Sequence, residues 1–373
     1  MRSSFLVILL AAVLLLPQAQ AQSPLPEGVA RVLELPPGDG NPRNSEGDFI
    51  QLKDGRILFV YTHFVGGGGD HDSAHLAARV SADGGRTWTQ EDEVIVPNEG
   101  GMNVMSVSLL RLQNGVIALF YLRKNATDDC RPLLRISTDE AQTWSEPKLC
   151  IEEPVGYYVV NNDRVIQLKS GRLVIPAARH ALKGEDFSGR GKAMCYLSDD
   201  DGQTWRRSMT ILEAPEDFST GLQEPGVIEL KDGRLMMLSR TNGGCQYRSY
   251  SSDQGNTWSP PEPTDILSPV SPATFERIPK TGDILLVWND HRNIDAVRKG
   301  KRTPFNTAIS TDEGQTWQHI KTLEDDPNGW YCYTALDFAG DTVLLGHCAG
   351  DRRKHGLART QILRFGVDWL YRE

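Results

Sequence analysis

Ser81-Ala82-Asp83-Gly84-Gly85-Arg86-Thr87-Trp88 is the stretch that decides the fold, because it recurs. The pattern Ser-x-Asp-x-Gly-x-Thr-Trp returns at Ser198–Trp205, Ser251–Trp258 and Ser310–Trp317, and at Ser137–Trp144 with Ala141 in place of the glycine. Successive serines are 56, 61, 53 and 59 residues apart. A fixed period of that size marks like units packed side by side. Inside the motif the Asp side chain can accept hydrogen bonds from turn amides, as Asx-turns do. The glycine supplies permissive backbone, and the Trp is a large apolar plug for packing between strands. The repeated Asp and Trp residues are therefore assigned to stability, not chemistry.

A second repeat lies between the first. Ile50-Gln51-Leu52-Lys53-Asp54-Gly55-Arg56-Ile57-Leu58-Phe59 reads as strand, turn, strand. Like hairpins turn at Asn114-Gly115, Ser170-Gly171, Asp232-Gly233, Thr281-Gly282 and Gly340-Asp341. Asp-Gly and Asn-Gly suit a type I′ turn. Residues 22–373 shared among six hairpins give about 59 residues each, and helical periodicity is nearly absent. The expectation is an all-β fold, a six-bladed β-propeller of four-stranded antiparallel blades over residues 22–373. The sixth hairpin has no Ser-x-Asp motif after it, so the two chain ends should supply its outer strands.

Outside the repeats, Arg2, the apolar run Phe5 to Leu16 and Ala19-Gln20-Ala21 read as a signal peptide over residues 1–21. The run is too short to span a bilayer, and no later stretch is long enough. The expected setting is secreted or periplasmic, without membrane insertion. With 39% hydrophobic and 24% charged residues the composition is that of a globular chain. A formal charge of −9 argues against a nucleic-acid partner. None of the six cysteines forms a C-x-x-C pair; Cys130/Cys150 and Cys332/Cys348 each bracket a hairpin and could be bridged. His71 and His75 lack the helix that a His-Glu-x-x-His zinc site needs. No metal and no cofactor is expected.

The topology also places a site. The tidy turns all fall at one end of the blades, so the irregular loops fall at the other, where function concentrates. At that end stand Arg43 and Glu46, Asn103, Asn161-Asn162-Asp163-Arg164, Gln223-Glu224, Arg240, Arg302, and Tyr331 and Tyr333. The loop Gly66-Gly67-Gly68-Gly69-Asp70-His71-Asp72 puts acids on a glycine lead. Glu224 and Arg240 share one hairpin.

With these motifs the chain resembles the sialidase (neuraminidase) superfamily, whose hallmark is the Asp box quoted above. The resemblance implies three arginines for a substrate carboxylate, a Tyr nucleophile with a partner Glu, and an Asp acid/base. On this sequence Asp70, followed by Arg79 and the first box, matches the acid/base; as a proton donor it would need a raised pKa. Glu224 matches the partner of the nucleophile, Tyr333 in Cys332-Tyr333-Thr334-Ala335 the nucleophile, and Arg240 and Arg302 two of the arginines. Arg43 stands about two residues earlier than the first arginine of the family's Arg-Ile-Pro motif. The late Glu that braces that arginine in the family is replaced by Gly350-Asp351. Asp163 is a further substrate-binding candidate. The implied function is a secreted exo-α-sialidase acting with retention, its partners sialylated or other acidic glycans. The alternatives are a hydrolase of another acidic sugar on the same propeller, and a non-catalytic glycan- or protein-binding propeller.

Overall fold

Leu52 and Arg56 close the first hairpin, Leu52 N–H donating to Arg56 O (2.8 Å) and Gly55 N–H to Leu52 O (3.0 Å). In this computed structural model, which describes residues 24–372, the pattern repeats at Leu112/Val116, Leu168/Arg172 and Leu230/Arg234. These are not the expected type I′ turns. Gly55 has φ +88° while Asp54 has none of the positive φ that I′ demands, so only the residue after the two central ones is left-handed. That is the three-residue loop with a glycine bulge, and it explains the polar residue before each glycine. Only the sixth hairpin is a two-residue loop, with Ala339 opposite Thr342. The expected signal peptide lies outside the described residues.

The strands follow the hairpins. After β1 (Ala30–Leu35), the first blade is β2 (Arg43–Gln51), β3 (Ile57–Phe64), β4 (Ala74–Ser81) and β5 (Glu93–Val96). The second is β6 (Asn103–Arg111), β7 (Ile117–Ala126), β8 (Asp129–Ser137) and β9 (Lys148–Leu149). In the third, β10 (Gly156–Val159) and β11 (Ile166–Gln167) together form the innermost strand beside β12 (Leu173–Leu182), β13 (Lys192–Ser198) and β14 (Arg206–Arg207). The fourth is β15 (Gln223–Glu229), β16 (Leu235–Arg240), β17 (Cys245–Ser251) and β18 (Glu262–Leu267). The fifth is β19 (Thr274–Arg277), β20 (Ile284–Trp288), β21 (Phe305–Ser310) and β22 (Gln318–Glu324). The sixth pairs β23 (Gly329–Ala339), β24 (Thr342–Asp351) and β25 (Thr360–Gly366) with β1, so the two ends of the chain close the ring as expected. One parallel contact, Tyr157 opposite Cys130, ties the second and third blades into one sheet.

Each blade buries both faces. Along β3, Ile57, Phe59 and Tyr61 pack with Leu344 and Ile362 of the sixth blade, while Leu58 and Val60 pack with Leu109 and Leu119 of the second. The period of two thus sorts side chains between two neighbours. Six such clusters fill the six gaps around the ring.

The Asp boxes are built as the sequence indicates. Asp83 Oδ1 accepts from the amides of Arg86 and Thr87 (both 2.9 Å), and Oδ2 accepts from Thr87 Oγ1 (2.7 Å). The same amide and hydroxyl bonds to Thr recur at Asp139, Asp200, Asp253 and Asp312. The box glycine abuts the preceding blade: a Cβ on Gly202 would lie 2.4 Å from Leu134 Cδ2. The five tryptophans seal the same gaps, Trp88 and Trp258 buried, Trp144, Trp205 and Trp317 half-buried. All six cysteines are free and buried, so neither Cys130/Cys150 nor Cys332/Cys348 is bridged.

Candidate active site

Four innermost strands carry a bulge at the loop end. Glu46, Ser106, Glu224 and Tyr333 have φ of 53°, 59°, 46° and 55°. Each sits where the register of its hairpin shifts, between Ser45 and Asp48, Met105 and Ser108, Gln223 and Gly226, and Cys332 and Ala335. A left-handed L-residue costs roughly 1–2 kcal/mol, and such strain clusters at functional sites. A bulge re-aims the side chain it carries. Here all four residues line one cavity of about 80 Å³, together with Asp70, Lys124 and Tyr157.

On one wall, Tyr333 Oη donates to Glu224 Oε1 at 3.3 Å. Glu224 Oε2 accepts from Arg240 Nη1 at 2.6 Å, and Arg240 Nη2 reaches Gln223. The Arg302 guanidinium lies 5.2 Å from the Tyr333 ring centroid, over its face. Burial, and then the negative charge of Glu224, push the Tyr333 phenol well above its usual pKa. The phenol is neutral and needs a base before it can attack, and Glu224 is within reach.

On the opposite wall, Arg43 is 1% exposed. Its Nη2 donates to Glu46 Oε1 (2.9 Å) and its Nη1 to Asp70 Oδ1 (2.6 Å). Ser106 Oγ donates to Glu46 Oε2. Glu46, three residues along the same strand, therefore braces Arg43 where the family pattern uses a late Glu. Burial works against the Arg43 charge, but Glu46 and Asp70 outweigh it and hold the pKa above normal. Asp70 departs from expectation: loss of water works upward, yet Arg43 wins and its pKa is lowered. Each of the three arginines thus contacts a residue lining the cavity. Arg43 Nε, Arg240 Nε and Arg302 Nη1 are buried donors without a hydrogen-bond partner.

Asp163 does not join them. Its left-handed residue stands five positions before Leu168, whereas Glu46, Ser106 and Glu224 stand six before Leu52, Leu112 and Leu230. Its carboxylate instead accepts Leu336 N–H (3.0 Å) and lines the central channel, about 340 Å³, beside Asp48, Glu276 and Asp337. Tyr331 is also elsewhere, packed in the core against Phe305. His75 stacks on His63 and not beside His71. Lys124, Ser106 and Tyr157 are cavity residues that the sequence reading passed over. Lys124 is buried at the end of the apolar β7, and a lysine there is itself a signal, since buried lysines are rare. Among the described residues no group of His, Cys, Asp or Glu is arranged to hold a metal ion, and no helix is long and apolar enough to cross a membrane.

Comparison with known proteins agrees with the fold. The family model described as BNR repeat-like domain matches residues 64–345. The chain is 26% identical over 363 residues to a sialidase of Micromonospora viridifaciens, covering 86% of this chain and 53% of that protein. It is 25% identical over 312 residues to the anhydrosialidase of Macrobdella decora, covering 76% and 38%. The chain therefore spans about half or less of the length of these curated relatives. Among solved structures, the Hadza microbial sialidase Hz136 superposes with a TM-score of 0.70 at 18% identity, covering 89% of this chain and 67% of that one. A Trypanosoma rangeli sialidase in complex with 2,3-difluorosialic acid, a covalent intermediate, superposes with a TM-score of 0.70 at 17% identity, covering 93% and 60%. At such identities the superpositions establish a shared fold.

Proposed function

The chain belongs to the BNR repeat-like family of the sialidase superfamily, and from that premise we propose that it is a retaining exo-α-sialidase in which Tyr333 is the nucleophile, Glu224 its base and Asp70 the acid/base. The observation that carries the reading is the convergence of Tyr333, Glu224 and Asp70, from three different blades, on one cavity. The chemistry is coherent. A sialic acid carries a carboxylate on its anomeric carbon, and an anionic nucleophile would approach against that charge. A neutral tyrosine avoids the repulsion, a known exception to the two-carboxylate glycosidases. As the Tyr333 oxygen bonds to the anomeric carbon, its proton passes to Glu224. The glycosidic bond breaks, and the leaving oxygen keeps the electron pair and takes a proton from Asp70. Water then attacks the anomeric carbon, giving its proton to Asp70, while the bond to Tyr333 breaks and the departing phenol oxygen takes its proton back from Glu224. Arg43, Arg240 and Arg302 hold the carboxylate by forked bonds that lysine cannot copy. The substrates of this reading are sialylated glycans, and the signal-like residues 1–21 support a secreted or periplasmic setting.

The rewired Arg43 corner, with Glu46 as brace, favours one second reading, an acidic sugar other than sialic acid. Release of 4-methylumbelliferone from its α-N-acetylneuraminide, with the α-anomer of the free sugar appearing first by NMR, is the expected result. Cleavage of an aryl uronide with no cleavage of the sialoside would move the function to the second reading.

A further inference from the structure

We infer that the Asp70 carboxylate occupies, in the free protein, the place at Arg43 that a ligand carboxylate takes, so that binding displaces it and readies it to carry a proton. The inference rests on the acidic-sugar reading of the site. Arg43 is buried, and its two terminal nitrogens are committed to Glu46 and Asp70. Glu46 is itself buried and further held by Ser106, so it is fixed. Asp70 is the movable partner, with a side chain 57% exposed.

Its backbone is anchored all the same. Asp70 O accepts from Lys124 Nζ (2.6 Å) and Asn103 Nδ2 (3.0 Å), and Gly68 O accepts from Arg43 Nη1 (3.3 Å). Release therefore needs a side-chain rotation, and the loop stays in place.

Charge counting gives the consequence. The groups facing Asp70 are Arg43 and Glu46 from β2, Lys124 from β7, Tyr157 from β10, and His71 and Asp72 on its own loop. Two cations, Arg43 and Lys124, stand among the carboxyl groups of Glu46, Asp70 and Asp72. A ligand carboxylate adds a further negative charge to this corner and takes Arg43 from Asp70. Both changes favour the protonated acid at Asp70. The proton comes from solvent, to which the side chain is open. Asp70 is then a proton donor only when an anionic ligand is seated, which reconciles its lowered pKa in the free protein with an acid role.

Isothermal titration at pH 5.5, in two buffers of different ionisation enthalpy, tests this. The probes are 2-deoxy-2,3-didehydro-N-acetylneuraminic acid, its methyl ester and glucuronic acid. The wild type should take up part of a proton per acid bound and none per ester. Asp70→Asn should take up none and bind the acid about tenfold more tightly, because the competitor for Arg43 is gone, with ester affinity unchanged. Acid binding seen only in Asp70→Asn would support the displacement in its strongest form. Equal or weaker acid binding by Asp70→Asn, or no proton uptake by the wild type when it binds the acid, would overturn it. If no acid binds either protein, Arg43 is not a carboxylate receptor and the inference falls. Uptake with glucuronic acid alone would overturn the sialoside reading and leave the displacement standing.

Discussion

Tyr333 Oη donates to Glu224 Oε1 at 3.3 Å although the two residues are 109 positions apart. The bond joins the sixth blade to the fourth, and both partners stand on left-handed bulges of their innermost strands. It couples a neutral phenol to the carboxylate that can take its proton. Tyr333→Phe keeps the ring beneath Arg302 and removes the attacking atom. Turnover of an aryl sialoside should fall at least about 1,000-fold, with the melting temperature little changed. Near-full activity in that variant would rule Tyr333 out as nucleophile. Tyr331, buried against Phe305, would be no replacement.

Arg302 is buried, and its Nη1 makes no hydrogen bond within the protein. Arg302→Lys keeps the charge and loses the fork. Hydrogen bonds to charged groups are worth about 1.5–3 kcal/mol, so KM for the acidic substrate should rise on the order of 10- to 100-fold, with kcat less affected. Steady-state kinetics decide it. An unchanged KM would separate Arg302 from the carboxylate.

The central channel makes a prediction about pH. Burial, with the nearby acids, raises the pKa of Asp48 and Glu276, burial raises that of Asp337, and burial pushes Asp163 up to about 6. A carboxyl group raised in the folded state binds protons more readily there than in the unfolded chain. Its contribution to stability is therefore lost as pH rises from the ordinary carboxylate range through the folded value. Several histidines held below their ordinary pKa work the other way in the same window. The measure is thus the difference between variant and parent. Glu276→Gln should stabilise the protein on the order of 1–2 kcal/mol at pH 7.5 and by less at pH 5. Denaturant unfolding at the two pH values tests it, and a larger gain at pH 5 would contradict the sign.

Trp88 lies 6% exposed between the first and sixth blades, beside Phe49 and Phe59. Trp88→Ala should cost about 3–5 kcal/mol, while activity per folded molecule is retained. Normal melting together with lost activity would place chemistry at the wrong end of the propeller.

At the third box, Gly202 has φ +84° and no room for a methyl group against Leu134. Gly202→Ala should destabilise by about 1–3 kcal/mol. The second box carries alanine at the equivalent Ala141, also left-handed at φ 65°, packed at the edge of the gap between the first and second blades. Differential scanning calorimetry of Gly202→Ala gives the comparison.

Much of this protein is written locally. An Asp box completes its hydrogen bonds within eight residues, and a glycine turn within five, so both leave a spacing that repeats along the chain. From those spacings follow the six hairpins, the ring closed by the chain ends, and the end of the ring at which Tyr333, Glu224, Asp70 and the arginines gather. What tertiary structure alone decided is which side chains meet. A shift of one residue in a strand turns a side chain to the other face, and the bulges that aim Glu46, Ser106, Glu224 and Tyr333 into one cavity have no composition of their own. Asp163, one position later relative to its turn, faces the channel instead. The Arg43 contact with Glu46 runs along one bulged strand, that with Asp70 reaches a loop of the same blade, and Lys124 joins them from the neighbouring blade; none of these leaves a repeat, because charges pair across space and not along a period.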